Sequence, residues 1–105
     1  MELAFDTKPL RDTCESEELA CQELGVRVAG ELKLRLADLR AATTIKDLPL
    51  VKLRIISGKC IFELADGYRL VVVPNHVNNP MKKPGSVNWE KVERIKIIGI
   101  TRNHE

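Results

Sequence analysis

Aromatic side chains are scarce in this chain of 105 residues, which has one Trp, one Tyr and two Phe. Proteins that bind single-stranded nucleic acid by stacking need several rings, so that mode of binding has little support here. Cysteines are also few, and the three present, Cys14, Cys21 and Cys60, show no CxxC spacing. An odd set without that spacing argues against a disulfide framework and against a zinc site. We expect these thiols to be small buried or half-buried apolar side chains.

Long apolar runs are missing from the sequence too, since no stretch approaches the roughly 20 apolar residues that cross a bilayer. The first residues hold no basic region followed by an apolar segment, so we expect no signal peptide, no membrane contact and a cytoplasmic location. The formal net charge of +2 is small and does not by itself require a nucleic-acid partner. Acidic residues cluster in the first 23 positions and basic residues between 82 and 102, which favours a polyanionic partner for the C-terminal half.

The remaining composition, 44% hydrophobic and 30% charged, is that of an ordinary folded protein, and residues 1–105 are long enough for one domain with one core. The apolar segment Glu2–Phe5 is predicted to be an edge strand. Asp6 or Thr7 then caps a short helix that has Pro9 in its first turn, where a missing N–H costs little.

Further helix is predicted beyond this first turn. Ser16, followed by two acidic residues, marks a second helical start, and Gly25 breaks or softens the run. The segment 26–40 is the clearest helix, because apolar residues recur three and four positions apart along one stripe. The members of this stripe are Ala29, Leu32, Leu36 and Leu39.

The C-terminal half is rich in strand-forming residues. Strands are predicted at Leu50–Ile56, Ile61–Leu64, Tyr68–Val73 and Glu93–Thr101. A loop from Pro74 to Asn88 separates the last two strands; His76 is expected to be solvated there. The expected architecture is α+β, with an N-terminal strand and two helices packed on a mostly antiparallel sheet of about four further strands.

The turn at Asp66-Gly67 has two possible registers. A two-residue loop pairs Ala65 with Tyr68 and places Arg69 on the same face as the apolar side chains. A three-residue loop, with Gly67 in the left-handed conformation, pairs Leu64 with Tyr68 instead. We favour the second register, because the first buries an arginine without a partner.

In the favoured register the sheet is apolar on one face and basic on the other. The apolar face holds Val51, Leu53, Ile55, Cys60, Phe62, Leu64, Tyr68, Leu70 and Val72, and it is expected to pack on the helical stripe. The other face carries Lys52, Arg54, Glu63 and Arg69, with aliphatic residues between them. Glu63 is expected to pair with Arg54 or Arg69, so this face is either an RNA-binding surface or an ordinary face with cross-strand salt bridges.

The order of elements and several short motifs resemble the RelE/ParE toxin superfamily and, within it, HigB-like proteins. The segments that carry the resemblance are Leu36 to Thr44 with Asp47-Leu48, Asp66 to Leu70, Val87 to Val92, Ile95 to Ile97 and the terminal His104-Glu105. The resemblance implies the toxin of a type II toxin–antitoxin pair, inhibited by a cognate antitoxin protein. It also implies a ribosome-dependent mRNA endonuclease that needs no metal or cofactor.

The resemblance also implies roles for individual side chains. Arg69 matches the strand motif whose arginine stabilises the phosphate, and His104 matches a terminal histidine that acts as general acid or base. Arg54 is the third predicted catalytic residue. Lys52, Lys59 and Lys96 are predicted to bind the RNA backbone, from their places on the basic face.

Two departures from the family pattern leave a second function open. The basic stretch that family members carry between the first two central strands is reduced here to Ser57-Gly58-Lys59, and the ending Arg102-Asn103-His104 lacks the common tyrosine. The alternative is a protein of the same fold that is catalytically silent or that targets DNA gyrase, as ParE-type proteins do.

Overall fold

The computed structural model describes residues 1–48, 53–83 and 85–102. Over these ranges the chain forms three α-helices and a five-stranded mixed sheet, which is an α+β fold. The elements in chain order are β1 (Glu2–Phe5), α1 (Lys8–Glu15), α2 (Glu17–Leu24), α3 (Val26–Ala41), β2 (Leu53–Ile56), β3 (Lys59–Glu63), β4 (Tyr68–Pro74) and β5 (Arg94–Arg102). None of the helices in these ranges is long and apolar enough to span a membrane.

The helical region contains three helices, so the prediction of two is wrong. The cause is that two residues interrupt the run. Ser16 ends α1 and caps α2, because its hydroxyl oxygen accepts a hydrogen bond from the backbone N–H of Leu19. Gly25 separates α2 from α3 with φ of +90°, a conformation that residues with a Cβ rarely adopt. The cap of α1 is Thr7, one of the two candidates.

The sheet has the strand order β1-β5-β4-β3-β2. β1 lies at one edge and runs parallel to β5, while the three other pairs are antiparallel, so the expected edge strand and mostly antiparallel sheet are confirmed. β3 begins at Lys59, two residues before its predicted start. The reason is a two-residue turn, in which Ser57 and Gly58 both have positive φ, the geometry that suits a tight hairpin. The predicted start of β2 at Leu50 lies outside the described residues.

The β3–β4 hairpin has the register that places Arg69 away from the core. The loop is three residues long, Ala65–Gly67, and the backbone N–H of Leu64 donates to the carbonyl of Tyr68 at 2.8 Å. Asp66 shares the left-handed conformation with Gly67, with φ of +58° and +79°. Asparagine and aspartate tolerate this region better than most residues. The favoured alternative is therefore confirmed.

The helices cover one face of the sheet, and the core lies between these two layers. The predicted stripe of α3 is buried in this core and is joined by Val28. Opposite it, the fully buried sheet residues are Cys60, Phe62, Leu70, Val72, Ile95 and Ile97. Ile55, also predicted for this face, is 49% exposed, because β2 is an edge strand. The other face of the sheet carries no helix in the described part of the chain.

Candidate nucleic-acid interface

The uncovered face of the sheet presents a compact charged cluster, made of Arg54, Glu63 and Arg69. The alternation of side chains along a strand places Glu63 and Arg69 on the face opposite Phe62 and Leu70. The register pairs Glu63 directly with Arg69 across β3 and β4. Arg54 projects from β2 to the same face, one strand further along the sheet. The bulged turn therefore decides the composition of the cluster.

One carboxylate oxygen serves both arginines. The guanidinium of Arg54 donates a hydrogen bond through Nη2 to Oε2 of Glu63 at 3.3 Å. The Nε of Arg69 lies 3.3 Å from the same oxygen. That contact is an ion pair rather than a hydrogen bond, because this N–H does not point at the oxygen and Nε remains buried without a hydrogen-bond partner.

The cluster is partly shielded from water and carries one net positive charge. The side chains of Arg69 and Glu63 are 28% and 31% exposed, whereas that of Arg54 is 50% exposed. Shielding strengthens the attraction between these charges relative to a fully solvated pair. Guanidinium groups bind phosphate through paired hydrogen bonds, and a carboxylate beside them can accept a proton. The arrangement thus combines phosphate binding with a proton acceptor.

The predicted RNA-binding lysines lie on the same face but outside this cluster. Lys59 opens β3 and is exposed, about 13 Å along the strand from Glu63 at 3.3 Å per residue. Lys96 pairs in register with Val73, four positions along β4 from Arg69, and its Nζ is 3.8 Å from a carboxylate oxygen of Asp6. Both lysines are therefore four positions along their strands from the cluster.

Two further predicted site residues, Lys52 and His104, lie outside the described residues. The structure therefore brings together Arg54 and Arg69 of the predicted catalytic set. Glu63, which the sequence indicated only as an ion-pair partner, becomes the central member of the cluster. Its position follows from the β3–β4 register, so the signal was the Asp66-Gly67 turn rather than any motif at Glu63 itself.

The loop between β4 and β5 packs away from the cluster. Its residues Met81 and Val87 form an isolated bridge, and Val87 lies beside Gly58 in the β2–β3 turn. His76 lies in this loop, as expected, and is partly exposed, but its side chain also has partners within the chain. Its Nε2 accepts hydrogen bonds from the backbone N–H groups of Glu93 and Arg94, at 3.0 and 3.3 Å. The imidazole is thus a structural acceptor at the start of β5.

A cavity of about 1000 Å³ lies elsewhere, between β1 and α1, and none of its lining residues belongs to the cluster. Much of its charge is already neutralised, because Lys8 pairs with Asp12 and Arg11 pairs with Glu15 on its wall. We take the cluster rather than this cavity as the candidate site, since only the cluster joins two cations to one carboxylate.

The cysteines are small, partly or fully buried side chains in this arrangement. All three are free, Cys60 is buried and Cys14 and Cys21 are partly buried, which confirms the sequence prediction. Burial raises the pKa of Cys60 to about 12 and that of Cys14 to about 11, so neither is a thiolate at neutral pH. Within residues 1–48, 53–83 and 85–102, no group of three or more His, Cys, Asp and Glu side chains is placed to hold a metal ion.

Comparisons with known proteins found no relative of this chain. No family model, no curated protein and no solved structure matches the chain.

Proposed function

We propose that the uncovered sheet face binds RNA and that the protein is a RelE/ParE-type toxin, an endoribonuclease that cuts mRNA on the ribosome. The observation that carries the proposal is the sharing of one Glu63 oxygen by Arg54 and Arg69 on that face. The strand–helices–antiparallel-sheet order supports the resemblance on which the toxin assignment rests. A cognate antitoxin protein is the expected partner.

The proposed reaction is an intramolecular transfer within the RNA. The ribose 2′-hydroxyl oxygen attacks the adjacent phosphorus, the bond from phosphorus to the 5′-oxygen of the next nucleotide breaks, and a 2′,3′-cyclic phosphate remains. Glu63 accepts the proton of the 2′-hydroxyl, and the arginines stabilise the charge that builds on the phosphoryl oxygens. The departing 5′-oxygen takes up a proton, a role that the resemblance assigns to His104. The phosphorus–oxygen bonds that form and break both lie within the RNA, and the protein takes part only in the two proton transfers and in charge stabilisation.

The test is induced expression in bacteria that lack an antitoxin, with growth and mRNA cleavage recorded for the wild type and for Arg69→Ala. We expect growth arrest with mRNA cuts in the wild type and loss of both in Arg69→Ala. Arg69→Lys separates charge from geometry, because lysine keeps the positive charge but cannot form the paired hydrogen bonds of a guanidinium. We expect it to retain only a small part of the cleavage.

A matched control is Arg11→Ala, which removes an exposed arginine of α1 that pairs with Glu15 far from the cluster. We expect it to arrest growth like the wild type. Thermal unfolding of each purified variant distinguishes loss of activity from loss of folding. Cleavage that persists in folded Arg69→Ala would exclude the proposed site.

A second function is favoured by the same ion pairs. Both arginines are engaged by Glu63, and an engaged cluster suits a structural or binding role on a silent or gyrase-targeting protein. Growth arrest without mRNA cuts would favour gyrase or another target. No arrest by a folded wild-type protein would favour the silent module.

A further inference from the structure

Two carboxylates of the uncovered sheet face hold arginines of the same face. Glu63 lies 3.3 Å from both Arg54 and Arg69 in the cluster. At the opposite edge of the sheet, the pairing of β1 with β5 sets Glu2 beside Arg94, and their charged groups lie 3.7 Å apart. An RNA phosphate that approaches this face therefore meets carboxylates as well as cations.

The two carboxylates differ in how strongly they are held. The side chain of Glu63 is 31% exposed and has two guanidinium partners, whereas that of Glu2 is 75% exposed and has one. Shielding from water strengthens an ion pair, and an exposed single pair contributes little. Glu63 is thus the stronger internal ligand, although the two residues carry the same charge on the same face.

Glu63 does not satisfy both of its arginines equally. Its Oε2 accepts a hydrogen bond from Nη2 of Arg54. The buried Nε–H group of Arg69 has no hydrogen-bond partner among the described residues, and a buried donor without a partner is unfavourable. A phosphodiester has two free oxygens, and guanidinium groups bind such oxygens in pairs. A phosphate in place of Glu63 therefore has donors to satisfy that the carboxylate leaves unpaired.

A phosphate and the Glu63 carboxylate compete for the same two guanidinium groups. Both are anions, and a phosphate bound beside the carboxylate would be repelled by it in this partly shielded site. Rotation of the Glu63 side chain removes the repulsion and frees the N–H group that it occupies. No helix of the described residues covers this face, so the side chain can turn towards water without a movement of the backbone.

We propose that Glu63 is an internal competitor for the RNA phosphate. It occupies Arg54 and Arg69 in the free protein, and a phosphate binds these arginines by displacing it. This inference rests on the proposed function, because it requires RNA to bind at the cluster. The competition makes the site selective: free RNA binds weakly, whereas RNA held by other contacts, as on the ribosome, presents its phosphate at a high effective concentration and displaces the carboxylate.

The displacement also sets the order of the two roles of the cluster. While Oε2 accepts from Arg54 and faces Arg69, it is not free to accept from a hydroxyl group. Once a phosphate has taken the guanidinium groups, the carboxylate is released beside the same phosphodiester and can accept the proton of the 2′-hydroxyl. The proton acceptor is therefore available only when substrate is bound.

The test compares two substitutions that each remove one negative charge from the uncovered face. Glu63→Gln releases the two arginines of the cluster, and Glu2→Gln releases Arg94 at the opposite edge. The probe is a short single-stranded RNA with 2′-O-methyl groups throughout, which lacks the attacking hydroxyl and is not cut. Fluorescence anisotropy without ribosomes gives the dissociation constants. We expect Glu63→Gln to bind at least about tenfold more tightly than the wild type, and Glu2→Gln less than about threefold.

A double-mutant cycle locates the effect in the cluster. In a protein that carries Arg54→Ala and Arg69→Ala, the carboxylate has no guanidinium group to occupy. Adding Glu63→Gln to that protein should change the affinity for RNA no more than Glu2→Gln does. Thermal unfolding checks the fold of every variant. A purely structural Glu63 predicts equal or weaker binding by Glu63→Gln, so a gain in affinity distinguishes the two roles.

Three results would overturn the proposal. The first is an affinity of folded Glu63→Gln that is no higher than that of the wild type, which includes no binding by either protein up to millimolar RNA. The second is an equal gain in Glu2→Gln, which would mean that only the net charge of the face matters. The third is a gain that persists without the two arginines.

The outcome can be told apart from that of the proposed function. Messenger RNA cuts that disappear in Arg69→Ala, together with unchanged affinity in Glu63→Gln, would support the ribonuclease and overturn the competition. Tighter binding by Glu63→Gln, in a protein whose wild type cuts no mRNA, would support the competition and overturn the ribonuclease.

Discussion

The two faces of strands β3 and β4 differ in what their side chains do, although they come from the same short stretches of chain. Cys60, Phe62, Leu70 and Val72 point to the helices and are at most 1% exposed. Their neighbours, among them Glu63 and Arg69, point to the uncovered face and keep charged groups near water. Adjacent residues thus belong alternately to the core and to the candidate site. Mutations one position apart should therefore affect either the stability of the fold or the activity of the site.

The largest expected effect on stability comes from placing a charged side chain on the apolar face of the sheet. Leu70→Arg places a cation in the core without a partner and should cost more than about 4 kcal/mol of the free energy of unfolding, so the protein should not fold. Arg69→Leu, one residue earlier, should leave the protein folded but without RNA cleavage. Denaturant unfolding of both variants checks the pair. Similar losses of stability in the two variants would contradict the separation of the faces.

The next largest effect on stability should come from truncating side chains on the two faces of β3. Phe62 is fully buried, and Phe62→Ala should lower the free energy of unfolding by about 3–5 kcal/mol through lost contacts and a cavity. Ile61 is its half-buried neighbour on the uncovered face. Ile61→Ala should lower the free energy of unfolding by about 1 kcal/mol or less. Chemical denaturation gives both values. A loss at Ile61 as large as that at Phe62 would show that the uncovered face is itself packed against something.

A smaller effect should appear at high pH, because the buried face holds a titratable thiol. Burial raises the pKa of Cys60 from its ordinary value of 9.0 to about 12. In the unfolded chain the thiol ionises from about pH 9, so its stabilising contribution is complete below that pH and falls as pH rises towards 12. The loss is at most about 1.4 kcal/mol per pH unit.

The measurement is the free energy of unfolding between pH 8 and pH 11, under reducing conditions, for the wild type and Cys60→Ala. Cys14 titrates over part of the same range and stays in both proteins, which isolates the contribution of Cys60. We expect a shallower decline in Cys60→Ala, although its stability at pH 8 is lower. Parallel curves would mean that the Cys60 thiol is no harder to ionise in the fold than outside it.

The smallest effect extends the comparison to the two faces of α3. Gly30→Ala on the outer face should raise the free energy of unfolding by about 1 kcal/mol, since alanine has the higher helix propensity and the added methyl group meets nothing. Ala29→Gly on the buried face should lower it by a similar or larger amount. Thermal unfolding of both variants is the measurement. A destabilising Gly30→Ala would show that the outer face is constrained within the chain.

The helices illustrate what local patterns can predict. The buried stripe of α3 and the caps at Thr7 and Ser16 depend on spacing and on hydrogen bonds to nearby N–H groups, so they could be predicted from the sequence. The number of helices was missed because Gly25 allows either a continued or an interrupted run, and the structure has the interruption. In the structure the interruptions are the side-chain cap at Ser16 and the positive φ of Gly25.

The candidate site was predictable only in part. The preference for keeping Arg69 out of the core selected the correct hairpin register, and that register predicted the pairing with Glu63. The hydrogen bonds accepted by His76 could not be predicted, because they join a loop to the start of β5, 17 and 18 residues away in sequence. Contacts between segments of that separation leave no periodic signal in the chain.

The amino-acid sequence by itself determined the secondary-structure types, the apolar faces and the separation of charge from core, because each depends on side chains a few positions apart. Only the tertiary structure decided that one Glu63 oxygen serves two arginines from different strands and that Val26 and Leu34 of α3 are exposed. Both depend on which surfaces meet when the helices pack on the sheet. That choice is set by the fit of whole elements rather than by any local pattern.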